Sequence, residues 1–204
     1  YGFELTYHKE HLDINNVVLA NGSDAVCIFV NAVVDSDVVA KLKSYGINLI
    51  ALRCAGFNNV DILAAEKHGV KVVRVPDYSP HAIAEHTLAL MLCLNRKVHR
   101  AFLRTRDGNF SLVGFEGFDM YGKTVGVIGT GKIGKVAIGL FKGLGMNVLA
   151  YDLYPEYAFA EAEGIKYVTL DELYANSDII TLHCPLTKET EYLICDESIN
   201  KMKD

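Results

Sequence analysis

The stretch VGVIGTGKIGK, from Val125 to Lys135, places three glycines within six positions directly after an apolar strand pattern. A helix pattern begins at Ile133, so the glycines lie in a strand-to-helix turn. Each glycine has a use there: the first permits a tight turn, the second lets a pyrophosphate approach the backbone, and the third allows close helix–strand packing. Backbone N–H groups at the helix start then face the phosphates, with the positive end of the helix dipole behind them. The stretch predicts a dinucleotide-binding turn.

An acidic residue follows the next predicted strand, Asn147–Tyr151, and indicates which dinucleotide binds. Asp152 lies eighteen residues past Gly134, where a carboxylate can accept hydrogen bonds from the adenosine ribose. The 2′-phosphate of NADP would meet it as a like charge, at a cost of at most about 4 kcal/mol for a separation of about 4 Å and an effective dielectric constant of about 20. The sequence therefore favours NAD over NADP. The alternative for Asp152 is a solvated carboxylate without a ligand.

Strand and helix patterns alternate along the chain, which predicts an α/β fold with parallel sheets and right-handed crossovers. We predict two doubly wound domains, residues 1–99 and 100–204, linked by a long helix that Ser79 and Pro80 begin and that reaches Arg106. Phe3–Tyr7 is predicted to be a strand, and Ser198–Met202 to be part of a short helix. The other predicted strands are 25–30, 47–52, 71–75, 124–128, 166–169 and 178–183, and the other helices are 36–44, 61–68, 133–144 and 170–175.

Composition excludes several classes of function. The chain has 204 residues, of which 50% are apolar and 22% charged, and its net charge of −5 argues against nucleic acid as a partner. No apolar run approaches the roughly 20 residues that span a bilayer, so no membrane partner is expected. The odd number of cysteines and the lack of metal-ligand spacing predict free thiols, no metal site and a reducing cytoplasm. The five are Cys27, Cys54, Cys93, Cys184 and Cys195.

Five stretches together make the chain resemble the D-isomer-specific 2-hydroxyacid dehydrogenases, and within them the D-lactate dehydrogenases. They are LRCAGFNNVD (52–61), VVRVPDYSPHAIAEH (72–86), NRKVHRAFLRTRDGNFSL (95–112), YGKTVGVIGTGKIG (121–134) and TLHCPLT (181–187). The resemblance implies a flavodoxin-like substrate domain and a Rossmann NAD-binding domain. It also implies reversible hydride transfer between NADH and C2 of a short 2-oxo acid, which for this group means reduction of pyruvate to D-lactate.

The resemblance also implies which residues form the site. Those for the cofactor are Gly129, Thr130, Gly131, Lys132, Ile133, Gly134, Asp152, His183, Cys184, Pro185 and Thr190, the last often an asparagine in the family. Those for the substrate are backbone N–H groups at Ala55 and Gly56, in the loop after the third predicted strand, and the side chain of Tyr78.

The family's catalytic arginine, histidine and glutamate have no counterpart in the 204 residues, and we expect them beyond residue 204. Two residues that are present invite a catalytic interpretation. His183 ends a predicted strand, and we favour a role for it as a wall of the cofactor pocket over a role as a general acid. Arg53 adjoins the substrate loop, and a structural ion pair is favoured over a substrate contact. The cationic residues Arg96, Lys97, His99, Arg100, Arg104 and Arg106 are predicted to form a solvated helix face or a subunit contact.

Two alternatives remain open on the sequence. The substrate could be another D-2-hydroxyacid, such as glycerate or phosphoglycerate, although phosphoglycerate would require more basic residues near the substrate loop than Arg53. The chain could instead be a non-enzymatic NAD-sensing module that resembles a corepressor. The resemblance further implies a homodimer or a dimer of dimers.

Overall fold

The computed structural model describes residues 2–203, and it divides into two compact units, one ending at Tyr78 and the other beginning at Ser79. Each unit has its own parallel sheet with helical crossovers, which confirms the predicted α/β fold. The predicted boundary after residue 99 falls inside the second unit. The reason is that the long helix before it contributes to the second unit's core.

The first unit is a three-stranded parallel sheet whose strands follow chain order. Its second crossover helix begins where Asp61 accepts a hydrogen bond from the N–H of Ala64, at 2.9 Å, and ends at Gly69, whose φ of 64° is left-handed. The core lies between this sheet and the helices, and includes Val38, Leu42 and Ile50, all fully buried. The elements are β1 (Val26–Ile28), α1 (Ser36–Ser44), β2 (Leu49–Leu52), α2 (Ile62–His68) and β3 (Lys71–Arg74), preceded by a 3-10 turn at Val17–Ala20.

The prediction of a strand at Phe3–Tyr7 is wrong. The segment is irregular, and Phe3, Leu5 and Tyr7 are each more than 60% exposed. Alternating apolar residues favour a strand only where one face can be buried against a core. This segment buries neither face, so its propensity has no packing to support it. The predicted substrate loop at Ala55 and Gly56 consequently follows the second strand of its sheet, β2, and not a third.

The second unit has a four-stranded parallel sheet whose strands are, in spatial order, β6 (Lys166–Tyr167), β5 (Asn147–Tyr151), β4 (Thr124–Ile128) and β7 (Ile179–Leu182). Numbered within the unit, this is the 3-2-1-4 order of half a Rossmann fold, in which the strand order reverses beside the first strand. A helix at Tyr157–Glu163 was not predicted, and the predicted helical segment Ser198–Met202 overlaps the observed helix Asp196–Ile199 only at Ser198 and Ile199. The elements are α3 (Pro80–Arg96), α4 (Val98–Arg106), β4 (Thr124–Ile128), α5 (Lys132–Gly143), β5 (Asn147–Tyr151), α6 (Tyr157–Glu163), β6 (Lys166–Tyr167), α7 (Leu170–Asn176), β7 (Ile179–Leu182) and α8 (Asp196–Ile199).

The long helix predicted to reach Arg106 is interrupted at Lys97, whose φ of 51° is left-handed. Its first part, α3, begins as predicted: Ser79 accepts a hydrogen bond from the N–H of Ala82, and Pro80 follows it. This helix packs along α5, and its Ala84 is fully buried with Val125 of β4. Within residues 2–203, no helix combines the length and the apolar character that a membrane crossing requires.

Candidate functional site

The glycine turn after β4 has the geometry that its sequence predicts. Gly129 has a φ of +95°, and its N–H donates to the carbonyl of Tyr151 at 2.8 Å. A Cβ at Gly129 would lie 2.6 Å from the backbone nitrogen of Cys184. Both the left-handed backbone and this close approach require glycine.

The other two glycines meet opposite surroundings. A Cβ at Gly134 would lie 2.0 Å from the carbonyl oxygen of Gly129, so only glycine lets α5 pack this closely on the turn. A Cβ at Gly131 would meet no atom within 4 Å. Gly131 is the N-cap of α5 and, having no side chain, makes no side-chain cap hydrogen bond to it. The space beside Gly131 is open at this helix start, which suits the approach of a pyrophosphate.

Asp152, directly after β5, is fixed by the residue between the first two glycines. One carboxylate oxygen, Oδ2, accepts from the backbone N–H of Thr130 at 2.6 Å and from its hydroxyl at 3.0 Å. The other, Oδ1, accepts from the N–H of Tyr154 at 2.9 Å. Partial burial raises the pKa of Asp152, but the hydrogen bonds from Thr130, Tyr154 and Leu153 outweigh it and hold the pKa below its usual value. Asp152 is therefore an oriented anion at neutral pH.

Tyr167 completes this cluster, and the sequence analysis did not assign it to the site. It ends β6, and its hydroxyl lies 2.7 Å from the hydroxyl of Thr130. Thr130 is 5% exposed, so its hydroxyl has little access to water. Strand order could have indicated Tyr167, because adjacent parallel strands bring their carboxyl ends together, but nothing in its local sequence does so.

His183 follows β7, where its N–H donates to the carbonyl of Ile128 at 2.7 Å. The imidazole Nε2 lies 3.1 Å from the hydroxyl of Thr181. Burial lowers the pKa of His183, so the ring is neutral at pH 7. Among residues 2–203 no hydrogen bond or ion pair joins this imidazole to a carboxylate that would favour its charged form.

Thr190 is used within its own loop. Its hydroxyl donates to the carbonyl of Pro185 at 2.6 Å and accepts from the N–H of Thr187 at 2.8 Å. A hydroxyl has one proton to donate. Thr190 therefore shapes the loop after His183 and Cys184, and its donor is already in use there.

The residues predicted to bind substrate lie in the first unit. The carbonyl of Ala55 accepts from the guanidinium of Arg74 at 2.9 Å, and the carbonyl of Gly56 accepts from the thiol of Cys54 at 3.3 Å. The N–H groups of Ala55 and Gly56 donate to no backbone carbonyl of the described residues. The loop thus has its carbonyls fixed and these two donors available for an anion. Tyr78, at the end of the unit, is exposed.

Arg53 forms a different contact from the ion pair that the sequence favoured. Its guanidinium lies 4.6 Å from the ring centroid of Phe29, in a cation–π contact. Nearby, the side-chain amide of Asn59 donates to the carbonyls of Phe29 and Ala32, at 3.2 and 3.1 Å. These contacts join the loops that follow β1 and β2.

Comparison with known proteins agrees with this geometry. Residues 88–204 match the family described as "D-isomer specific 2-hydroxyacid dehydrogenase, NAD binding domain". The chain belongs to this family. The match includes the glycine turn, Asp152 and the loop after β7, so these lie in the family's NAD-binding domain.

Relatives and solved structures extend the likeness over the whole chain. A 2-hydroxyacid dehydrogenase homologue of Haemophilus influenzae is 54% identical and a D-lactate dehydrogenase of Escherichia coli 52% identical, each over 100% of this chain and over 61% and 62% of its own length. The apo-structure of the Escherichia coli D-lactate dehydrogenase superposes with a TM-score of 0.90 at 53% identity, covering 100% of this chain and 64% of that one. The chain thus spans about three-fifths of the length of these relatives.

A more distant structure is that of a D-lactate dehydrogenase from Aquifex aeolicus, described as complexed with NAD and lactic acid. It has a TM-score of 0.80 at 34% identity and covers 92% of this chain and 56% of that one. Both units of this chain therefore have counterparts in dehydrogenases of this family.

Proposed function

We propose that the protein is an NAD-dependent dehydrogenase that reduces pyruvate to D-lactate by reversible hydride transfer. The observation that carries the proposal is the carboxylate of Asp152, held as an oriented anion at the end of β5 beside an open glycine turn. This arrangement suits a ribose without a 2′-phosphate. The identities of the relatives, several of which are D-lactate dehydrogenases, support pyruvate as the 2-oxo acid.

The proposed cofactor site uses each part of the turn differently. The N–H groups of the first turn of α5, from Gly131 to Ile133, would hold the pyrophosphate, with the Lys132 ammonium adding positive charge. Asp152 would accept from the ribose, and His183, Cys184 and Pro185 would line the nicotinamide half. When bound, NADH supplies the hydride for C2 of the 2-oxo acid.

The proposed substrate site uses the N–H groups of Ala55 and Gly56 for an anionic oxygen and the hydroxyl of Tyr78 as a further polar contact. Reduction also needs a cation to clamp the carboxylate and an acid, kept charged by a carboxylate, to protonate the developing alkoxide. We assign these tasks to the family's arginine, histidine and glutamate, for which the residues of this chain offer no counterpart. His183, being neutral, serves as a pocket wall.

Two observations bear on the alternatives. Arg53 is the only arginine or lysine from Leu52 to Asp61, and its guanidinium lies on Phe29. The other cation at this loop, Arg74, already donates to the carbonyls of Ala55 and Pro76, which argues against a phosphorylated substrate. The first unit's available N–H groups at Ala55 and Gly56 favour an enzyme over a cofactor sensor, which needs no second anion site. The cytoplasm as compartment and a homodimer or dimer of dimers as assembly remain predictions, the first supported by five free cysteines.

The test is an assay of NADH oxidation with three 2-oxo acids: pyruvate, hydroxypyruvate and 3-phosphohydroxypyruvate. We expect the 204 residues to bind NADH without turnover, and a polypeptide that also includes the arginine, histidine and glutamate to reduce pyruvate fastest. Preference for either of the other acids would replace the substrate assignment. Binding of NADH without turnover by the longer polypeptide would support the sensor.

A further inference from the structure

Three polar side chains at the carboxyl ends of three adjacent strands form one hydrogen-bonded chain in the second unit. Thr130 follows β4, Asp152 follows β5 and Tyr167 ends β6, and these strands are neighbours in the sheet. The Tyr167 hydroxyl lies 2.7 Å from that of Thr130, which lies 3.0 Å from Asp152 Oδ2. This series of hydrogen bonds thus runs from the edge strand of the sheet to the carboxylate at the candidate cofactor site.

Counting protons fixes the direction of every bond in this chain. An ionised carboxylate only accepts, so the single hydroxyl proton of Thr130 points to Asp152. The Thr130 oxygen must then act as the acceptor towards Tyr167, and the Tyr167 hydroxyl donates to it. Because Thr130 is 5% exposed, water has little access to replace Tyr167 as the donor. Tyr167 therefore holds the Thr130 hydroxyl in the rotamer that binds Asp152.

We propose that Tyr167 is a positioning residue for cofactor selection. Acting through Thr130, it orients the carboxylate of Asp152 so that the protein binds NADH in preference to NADPH. The proposal rests on the proposed function, in which Asp152 contacts the adenosine ribose. The Thr130 hydroxyl adds a second hydrogen bond to Oδ2, and together with the N–H groups of Thr130 and Tyr154 it sets the orientation in which the carboxylate meets a ribose hydroxyl. Without the hydroxyl bond the carboxylate is held by backbone N–H groups alone, so it is less firmly oriented towards the ribose and has more freedom to move away from a 2′-phosphate.

The experiment measures the dissociation constants of NADH and NADPH by calorimetry for the protein, Tyr167→Phe, Asp152→Ala and the double variant. Tyr167→Phe keeps the ring and removes only the hydroxyl. We expect it to raise the dissociation constant of NADH by about three- to tenfold, the effect of one neutral hydrogen bond. The dissociation constant of NADPH should not rise. In the Asp152→Ala background the same change should have no further effect on either cofactor.

Two more variants keep the test decisive. Thr130→Val removes the hydroxyl that links Tyr167 to Asp152. It should weaken NADH binding at least as much as Tyr167→Phe does. Tyr157→Phe is the matched control, because Tyr157 stacks edge-on against Tyr167 with ring centroids 5.8 Å apart and keeps that contact as phenylalanine. It should leave both dissociation constants unchanged.

The outcomes separate this inference from the proposed function. Tyr167→Phe could weaken the binding of NADH and NADPH alike, or weaken NADH binding equally with and without Asp152. In either case Tyr167 has a general structural role and the inference is wrong, while the cofactor assignment stands. If the unsubstituted protein binds no NADH, the cofactor assignment itself is wrong, and the inference fails with it.

Discussion

At the scale of single residues, the glycine turn shows that three identical residues do three different things. Gly129 is required by its backbone conformation and by the nearby Cys184, and Gly134 by the carbonyl of Gly129. Gly131 is required by neither, since space beside it is open. Local packing and backbone conformation therefore account for two of the glycines, and for the third we propose the close approach of the cofactor's pyrophosphate.

We predict that Gly131→Ala and Gly134→Ala separate binding from folding. Gly131→Ala should leave the melting temperature unchanged. It should weaken NADH binding by about tenfold or more, because a methyl group enters the space that the pyrophosphate needs. Gly134→Ala should lower the free energy of unfolding by roughly 1–3 kcal/mol or more, because its Cβ overlaps a backbone oxygen. Thermal melting and NADH titration of both variants check this. Unchanged NADH affinity in Gly131→Ala would place the pyrophosphate elsewhere.

At the scale of elements, the break between α3 and α4 is held by contacts with an irregular segment, residues 109–118. The ammonium of Lys97 donates to the carbonyls of Gly114 and Glu116, at 2.9 and 3.1 Å. Arg104 donates to the carbonyls of Ser111 and Val113, at 3.0 and 2.9 Å. Two members of the predicted cationic helix face thus bind backbone carbonyls of this segment instead of remaining solvated.

We predict that Lys97→Ala loosens this segment. The variant keeps the left-handed backbone and loses both hydrogen bonds, which should cost about 1 kcal/mol of unfolding free energy and speed proteolysis within residues 109–118. Lys97→Gly loses the same bonds but relieves the backbone, so it should be less destabilised. Denaturant unfolding and limited proteolysis measure both effects.

Arg106→Ala, a change in the same cationic run, is the control and should behave like the unsubstituted protein. Equal effects of Arg106→Ala and Lys97→Ala would show that net charge, and not the two carbonyl contacts, stabilises the segment.

At the scale of the whole molecule, the helix α3 decides where one unit ends and the other begins. Its Ala84 is fully buried in the core of the second unit, and Leu88 and Met91 pack against the same core. A fragment without α3 would expose this apolar surface to water. We therefore propose that the part of the chain able to fold independently begins at Ser79, where the second compact unit begins.

We predict that residues 79–204 fold on their own and bind NADH, whereas residues 100–204 do not fold cooperatively. Circular dichroism during thermal unfolding, followed by NADH titration, compares the two fragments at equal concentration. Cooperative unfolding of residues 100–204 would instead support the boundary predicted from the sequence.

The sequence by itself determined the features that depend on short stretches of chain. The turn from β4 into α5 depends on the three glycines, the start of α3 on Ser79 and Pro80, and the carboxylate after β5 on Asp152, and all three lie where they were predicted. These features follow from local backbone geometry and from the alternation of strands and helices, which neighbouring residues specify.

Only the tertiary structure decided features that depend on what lies across the fold. Phe3–Tyr7 has strand propensity but no surface to bury against, and α3 belongs to the second unit because of the core it meets. Tyr167 reaches Thr130 from 37 residues away. Burial and hydrogen-bond partners are set by residues distant in sequence, so no local pattern specifies them until the sheets are assembled.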